Sequence, residues 1–207
     1  PQPVGPALAA VNPMPALTNP DPPHLTETTS DSATGAYKTD CFDMTEVALA
    51  IIMLVDDAGF DGTAGNLYPT YAGVAEIGGA DDKTCIENAP PAWAVSNTLV
   101  GMLAQVPALS DIQTDGFAVV LVLDANEAPV AGAVLKKADD TDLATVVYPN
   151  ADLSAFDGTE TSANGLALVP GPLSLTSVKA VKTGMTWEAG QMAVVEGFCF
   201  TRPLIAN

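Results

Sequence analysis

The sequence predicts a mainly β protein, an antiparallel β-sandwich preceded by a β region with one short helix and an extended Pro-rich N-terminal arm. Three observations predict it. Seventeen Gly and seventeen Pro among 207 residues demand frequent turns. Between those turns lie short apolar, β-branched runs, as a sandwich of short strands requires. The 48% of hydrophobic residues against 15% charged supplies a core and excludes disorder of the whole chain.

The elements divide into three regions. Residues 1–35 carry Pro at 1, 3, 6, 13, 15, 20, 22 and 23, followed by the Thr/Ser-rich stretch Thr26–Gly35. Proline fixes φ and removes a backbone donor, so this arm favours extended or polyproline II structure. An arm of this kind is ordered only where its own domain or another subunit holds it. Residues 36–110 form a first β-rich region. Val47–Val55 (VALAIIMLV) is continuously apolar and reads as a strand buried on both faces. Ala92–Val106 places Val95, Leu99, Met102, Leu103 and Val106 at amphipathic helical spacing, between Pro90-Pro91 and Pro107. Residues 111–207 hold the sandwich, with strands expected at Phe117–Leu123, Ala131–Lys136, Ala144–Tyr148, Gly165–Val169, Leu173–Lys182 and Met192–Cys199. Turn signals at Asp124–Glu127, Asp139–Asp142, Ala163–Gly165 and Pro170–Pro172 separate them. Asn164-Gly165 reads as a hairpin turn, because both residues tolerate positive φ.

The order of features over Gly116–Cys199 resembles a carboxypeptidase-regulatory-like domain, a family with the transthyretin-like (prealbumin-like) β-sandwich. The resemblance rests on an apolar strand ending at Asp124, a short turn, and Pro129-Val130-Ala131-Gly132-Ala133-Val134. Thr161, Asn164, Gly165 and Leu166–Val169 then match a Thr-x-x-x-Gly turn and strand, and Ala180–Gly184 matches a later strand. Ala138–Glu160 departs from the pattern as a long acidic insertion, expected to carry a decoration or extra hairpin. The resemblance implies a structural or adhesive module rather than a catalyst. Related wall-anchored sandwiches form a Lys–Asn isopeptide from the first strand, but Phe117–Leu123 has no Lys, so none is expected here.

Charge and residue chemistry narrow the function classes. With 25 acidic and 7 basic residues the formal net charge is -18. Nucleic acid and anionic lipid are therefore not expected partners, since both require Lys and Arg to replace counterions. The longest apolar run, at Val47–Val55, is too short for a membrane-spanning helix. The single histidine, His24, leaves His-based triads and zinc hydrolysis without their residues. Paired carboxylates abound, and that abundance makes any one acid/base pair uninformative.

Calcium is the candidate small ligand. Asp57-Ala58-Gly59-Phe60-Asp61-Gly62 resembles the start of an EF-hand loop, but the third position is Gly59 and the twelfth is Tyr68. An irregular calcium turn built from Asp56, Asp57 and Asp61 is what survives, with Asp139, Asp140 and Asp142 as a similar cluster. In each case the alternative is a polar turn. Trp93, Trp187, Tyr68 and Tyr71 are candidates for a glycan-binding platform, against core packing.

Three cysteines, Cys41, Cys85 and Cys199, leave at least one outside any intramolecular bridge. A Cys41–Cys85 disulfide with Cys199 as a buried thiol is the simplest arrangement, and pairing of Cys199 with either is its competitor. The chain starts at Pro1 rather than Met, as a secreted protein does once its signal peptide is removed. The functional expectation is a non-catalytic extracellular or cell-surface subunit, a homo-oligomer or the partner of a neighbouring surface protein, building a filament or surface layer through its arm. The alternatives are a secreted adhesion or glycan-binding module, calcium-dependent in one version, and an accessory region of an enzyme.

Overall fold

In a computed structural model the chain forms two compact units, Pro1–Val100 and Gly101–Asn207. The structure describes residues 4–19, 22–43, 47, 50–56, 65–76, 83–84 and 93–207. The protein is mainly β, as its sequence predicts, with short helices between its strands.

The first unit is built on β1 (Val4–Val11), β2 (His24–Asp31), β4 (Ala50–Asp56) and β6 (Thr70–Glu76). A one-turn helix, α1 (Pro13–Ala16), leads from β1 toward β2, and β3 (Phe42–Asp43) follows it. Strand β1 is flanked by β2 and β4, antiparallel to both, and β4 pairs in turn with β6. The residues expected to form a loose arm thus supply an inner strand of their own chain's sheet. The cause is apolar content. Leu8-Ala9-Ala10-Val11 is buried throughout, and burial of this run outweighs the preference of the surrounding prolines for solvated extended chain. Ile52–Val55 is likewise buried residue after residue, as expected for a strand covered on both faces. Leu8, Ala10, Met53 and Val55 pack with Tyr37 and Phe42 in one core.

Small elements complete this unit. β5 (Leu67–Tyr68) pairs with β8 (Val95–Ser96), and β7 (Lys83–Thr84) with β3. The helix expected over Ala92–Val106 runs only from Asn97 to Leu103 (α2). Asn97 explains its start. Its Nδ2 donates to the carbonyls of Gly65 and Leu67 at 2.8 and 3.0 Å, fixing residues 95–96 as extended chain beside β5.

The second unit is a β-sandwich. A 3-10 turn (Pro107–Leu109) and α3 (Ile112–Asp115) lead into β9 (Phe117–Leu123). One sheet has the order β11–β9–β14, where β11 is Leu166–Pro170 and β14 is Cys199–Ile205. The other has the order β10–β12–β13, from Val134–Lys137, Leu173–Val181 and Gly190–Val194. Alternate residues of both sheets meet in the core, among them Ala118, Val120 and Val122 of β9, Val178 and Ala180 of β12, and Met192 and Val194 of β13. All pairings in the two sheets are antiparallel except β14 with β9, which is parallel over seven residues. The strand expected over Met192–Cys199 is two strands, separated by a turn at Gly197 with φ of 75°.

Candidate interaction surface

The residues matching the Thr-x-x-x-Gly pattern do structural work in the sandwich. Thr161 is buried, and its Oγ1 donates to the Val130 carbonyl at 2.7 Å while accepting the Ala133 N–H at 3.0 Å. Backbone bonds Gly132 N–H to Thr161 O and Thr161 N–H to Ala133 O close the same contact. Gly132 takes φ of 74° there. Asn164-Gly165 is not the expected hairpin. Gly165 has φ of 68°, Asn164 is not in the left-handed region, and Asn164 Oδ1 instead accepts the Leu166 N–H at 3.0 Å. This side-chain turn competes with the two-residue hairpin and aims β11 at β9.

The acidic insertion Ala138–Glu160 covers a sheet edge. Val147 and Leu168 exchange both backbone hydrogen bonds at 2.8 Å, so the insertion extends the sheet beyond β11. Asp139, Asp140 and Asp142 do not converge. Asp142 accepts from Lys136 Nζ at 2.9 Å, and Asp140 pairs with Lys179 Nζ at 2.9 Å. Asp139 Oδ1 accepts from the Thr141 hydroxyl and N–H. The Asp142 carboxylate holds the Lys136 ammonium above its ordinary pKa. This is a polar turn tied to the β10–β12 face. Among the described residues no group of three or more His, Cys, Asp or Glu is placed to hold a metal.

For the other calcium candidates, Asp57 and Asp61 lie outside the described residues, and Asp56 is described only as the backbone end of β4, opposite Ala7 of β1. The aromatic candidates do not form a platform. Tyr68, Tyr71 and Trp187 are 8%, 2% and 6% exposed, so their faces belong to the interior. Trp93 is partly exposed. Trp187 Nε1 donates to the Leu123 carbonyl at 2.8 Å. His24 sits at the start of β2 with Nδ1 2.7 Å from Glu27 Oε1.

The disulfide expectation requires correction. The described residues contain no complete bridge, since Cys85 lies outside them. Cys41 is disulfide-bonded. Cys199 is a free, buried thiol, which removes it as a pairing partner, and burial pushes its pKa far up.

Three turn carboxylates couple the fold to pH. Hydrogen bonds from Thr34, Thr141 and Ser154 lower the pKa of Asp31, Asp139 and Asp152 from 3.8. A depressed native pKa adds stability above the unfolded value, and that stability is lost as pH falls through the native one. Thermal melting is therefore expected to hold from pH 7 to about 5 and decline below about pH 4. The triple variant Asp31→Asn, Asp139→Asn, Asp152→Asn should show a shallower decline. An unchanged curve would place the acid sensitivity elsewhere.

With no metal-holding group among the described residues, the candidate surface is the sheet edge at β2. Among the described strands β2 pairs with β1 alone, while the chain that follows it is tied to its second half, Asp31 N–H donating to the Ala36 carbonyl at 2.8 Å and Thr28 Oγ1 to the Lys38 carbonyl at 2.7 Å. Its sequence, His-Leu-Thr-Glu-Thr-Thr-Ser-Asp, is polar and β-branched, with Glu27, Thr29 and Asp31 exposed. Ser30 is tied back to β1 through the Pro6 carbonyl at 3.2 Å. Asp31 closes the strand by accepting from the N–H groups of Ala33 and Thr34 at 3.0 and 2.8 Å. No helix among the described residues is long and apolar enough to cross a membrane.

No protein-family model matches the chain, and no curated protein does. Among solved structures, the Bacillus anthracis TIE protein is similar over 98% of this chain and 34% of its own, at 12% identity and a TM-score of 0.31. The chain thus spans about a third of that protein's length. The shaft pilin SpaA from Lactobacillus rhamnosus GG is similar over 98% of this chain and 87% of its own, at 10% identity and a TM-score of 0.26. A double mutant of that pilin gives 10% identity, 84% of its own length and a TM-score of 0.26. Overlaps this loose assign neither family nor activity.

Proposed function

We propose that this chain is a non-catalytic extracellular structural subunit that assembles into a filament or surface layer through its N-terminal strands. The observation that carries the reading is the placement of the arm: β1 lies inside the sheet, and the polar strand β2 lies at its edge. A strand edge offers backbone donors and acceptors to an added strand from a neighbouring copy. The acidic surface and the scarcity of histidine fit a scaffold better than a catalyst. The transthyretin-like resemblance contributes only the sandwich architecture to this reading.

Deleting residues 1–30 is a poor test, because it removes β1 with its buried Leu8–Val11 and unfolds the first unit. The sharper test leaves β1 intact. Particle mass is measured by light scattering for the wild type and for Glu27→Lys, Thr29→Lys, since edge lysines oppose strand addition. Concentration-dependent assembly by the wild type, lost in the variant, is expected. A monomeric wild type at every concentration would overturn the assembly reading. Equal assembly by both proteins would move the contact away from β2.

A further inference from the structure

We propose that the second unit bears tension, with β9 and β14 acting as a shear clamp between the chain entering β9 and the chain leaving β14. The proposal goes beyond the assembly reading and stands without it, because it concerns how one folded unit responds to force.

The clamp follows from strand direction. β9 is the first strand of the unit and β14 the last, and they are neighbours running parallel, from Cys199 opposite Phe117 to Ile205 opposite Leu123. Chain therefore enters at one end of the pair and leaves at the other. Pulling on those two points slides one strand along the other and loads the whole ladder together. In an antiparallel hairpin the entry and exit points share an end, and the same pull opens the bonds one at a time.

The ladder is closed at both ends. Phe117 N–H donates to the Phe198 carbonyl at 3.1 Å, and Ala206 N–H donates to the Leu123 carbonyl at 3.0 Å. The two-residue alternation of a parallel ladder then assigns Phe200, Arg202, Leu204 and Ala206 as the donors from β14 to β9. Pro203, which has no N–H to give, falls on the other parity and faces away from β9. The proline in this strand consequently leaves the clamp complete.

Both ends are also braced. At the entry end, Gly171 N–H donates to Gly116 O and Gly197 N–H to Thr114 O, each at 3.0 Å. At the exit end, Trp187 Nε1 and the Ala206 N–H share the Leu123 carbonyl, and Asn207 N–H donates to Thr186 O at 3.0 Å. Val120, Val122 and Leu204 are buried in the sandwich core, so sliding also drags apolar side chains out of their packing.

Single-molecule force spectroscopy on the full chain tests this with two handle pairs. Thr114→Cys with Asn207→Cys loads the pair in shear; Asn126→Cys with Asn207→Cys loads it in peel. All three positions are exposed, whereas Cys199 is buried. At one loading rate the shear pair is expected to unfold at a severalfold higher force than the peel pair. Equal forces, or a stronger peel pair, would overturn the clamp. Neither result depends on whether the protein assembles.

Discussion

Gly116→Ala is expected to destabilise the second unit by about 3 kcal/mol or more, from strain of roughly 1–3 kcal/mol and overpacking of similar size. Gly116 joins α3 to β9 with φ of 74° and ψ of 177°, a region that only glycine occupies readily. A Cβ there would lie 2.0 Å from the Val195 carbonyl oxygen and 2.7 Å from that of Phe198. Both obstacles are backbone, so no rotamer change relieves them. Urea unfolding followed by circular dichroism measures the effect. No loss, or a gain of about 0.4–1 kcal/mol as at a glycine site whose conformation alanine can adopt, would show that the turn relaxes and that the approach is not tight in solution.

Trp187→Ala is expected to cost about 3–5 kcal/mol, the range for deleting a buried large aromatic. Trp187 is packed in the sandwich core beside the β9 and β14 ends. Trp187→Phe separates packing from hydrogen bonding. The Leu123 carbonyl keeps the Ala206 N–H when the indole is lost, so it is not orphaned, and this variant should cost about 1 kcal/mol for the bond plus the cavity left by the smaller ring, well short of the loss in Trp187→Ala. If Trp187→Phe were as damaging as Trp187→Ala, the hydrogen bond rather than the packed ring would dominate the site.

Much of the fold was legible because local pattern and burial agreed. Phe117–Leu123 is apolar throughout and rich in valine, and β9 has those bounds. Val47–Val55 signalled a strand covered on both faces, and Ile52–Val55 is buried at every residue. Legibility failed where a side chain or a distant segment decided the outcome. In place of the single strand expected over Met192–Cys199 there are two, Gly190–Val194 and Cys199–Ile205, and the second runs through Arg202-Pro203, which looks unlike strand interior. The parity of Pro203 makes it tolerable, and parity depends on a partner some eighty residues earlier in the chain, a separation beyond local patterning. The prolines of residues 1–35 concealed β1 for a related reason. Its pairing is decided by β4, and proline content reports only on the isolated segment.

The candidate site was less legible than the fold. Acidic clusters and aromatic residues advertise ligands in a sequence, yet their meaning lies in their neighbours. Asp140 and Asp142 are neutralised by Lys179 and Lys136, and three of the four aromatic candidates are interior. The edge of β2 carries no residue-type signature at all, since what it offers is backbone.

The adjacency of β9 and β14 also sets the timing of folding. Synthesis delivers β9 long before β14, so the unit's longest parallel ladder cannot close until nearly all of its chain is present. Long-range pairing of this kind slows folding toward the millisecond-to-second range. In the interval β9, with its run Phe-Ala-Val-Val-Leu-Val-Leu, lacks a neighbour on one side and is the segment most exposed to mispairing. The same connectivity that would resist extension in the finished unit makes the nascent chain dependent on prompt completion or on protection from its neighbours.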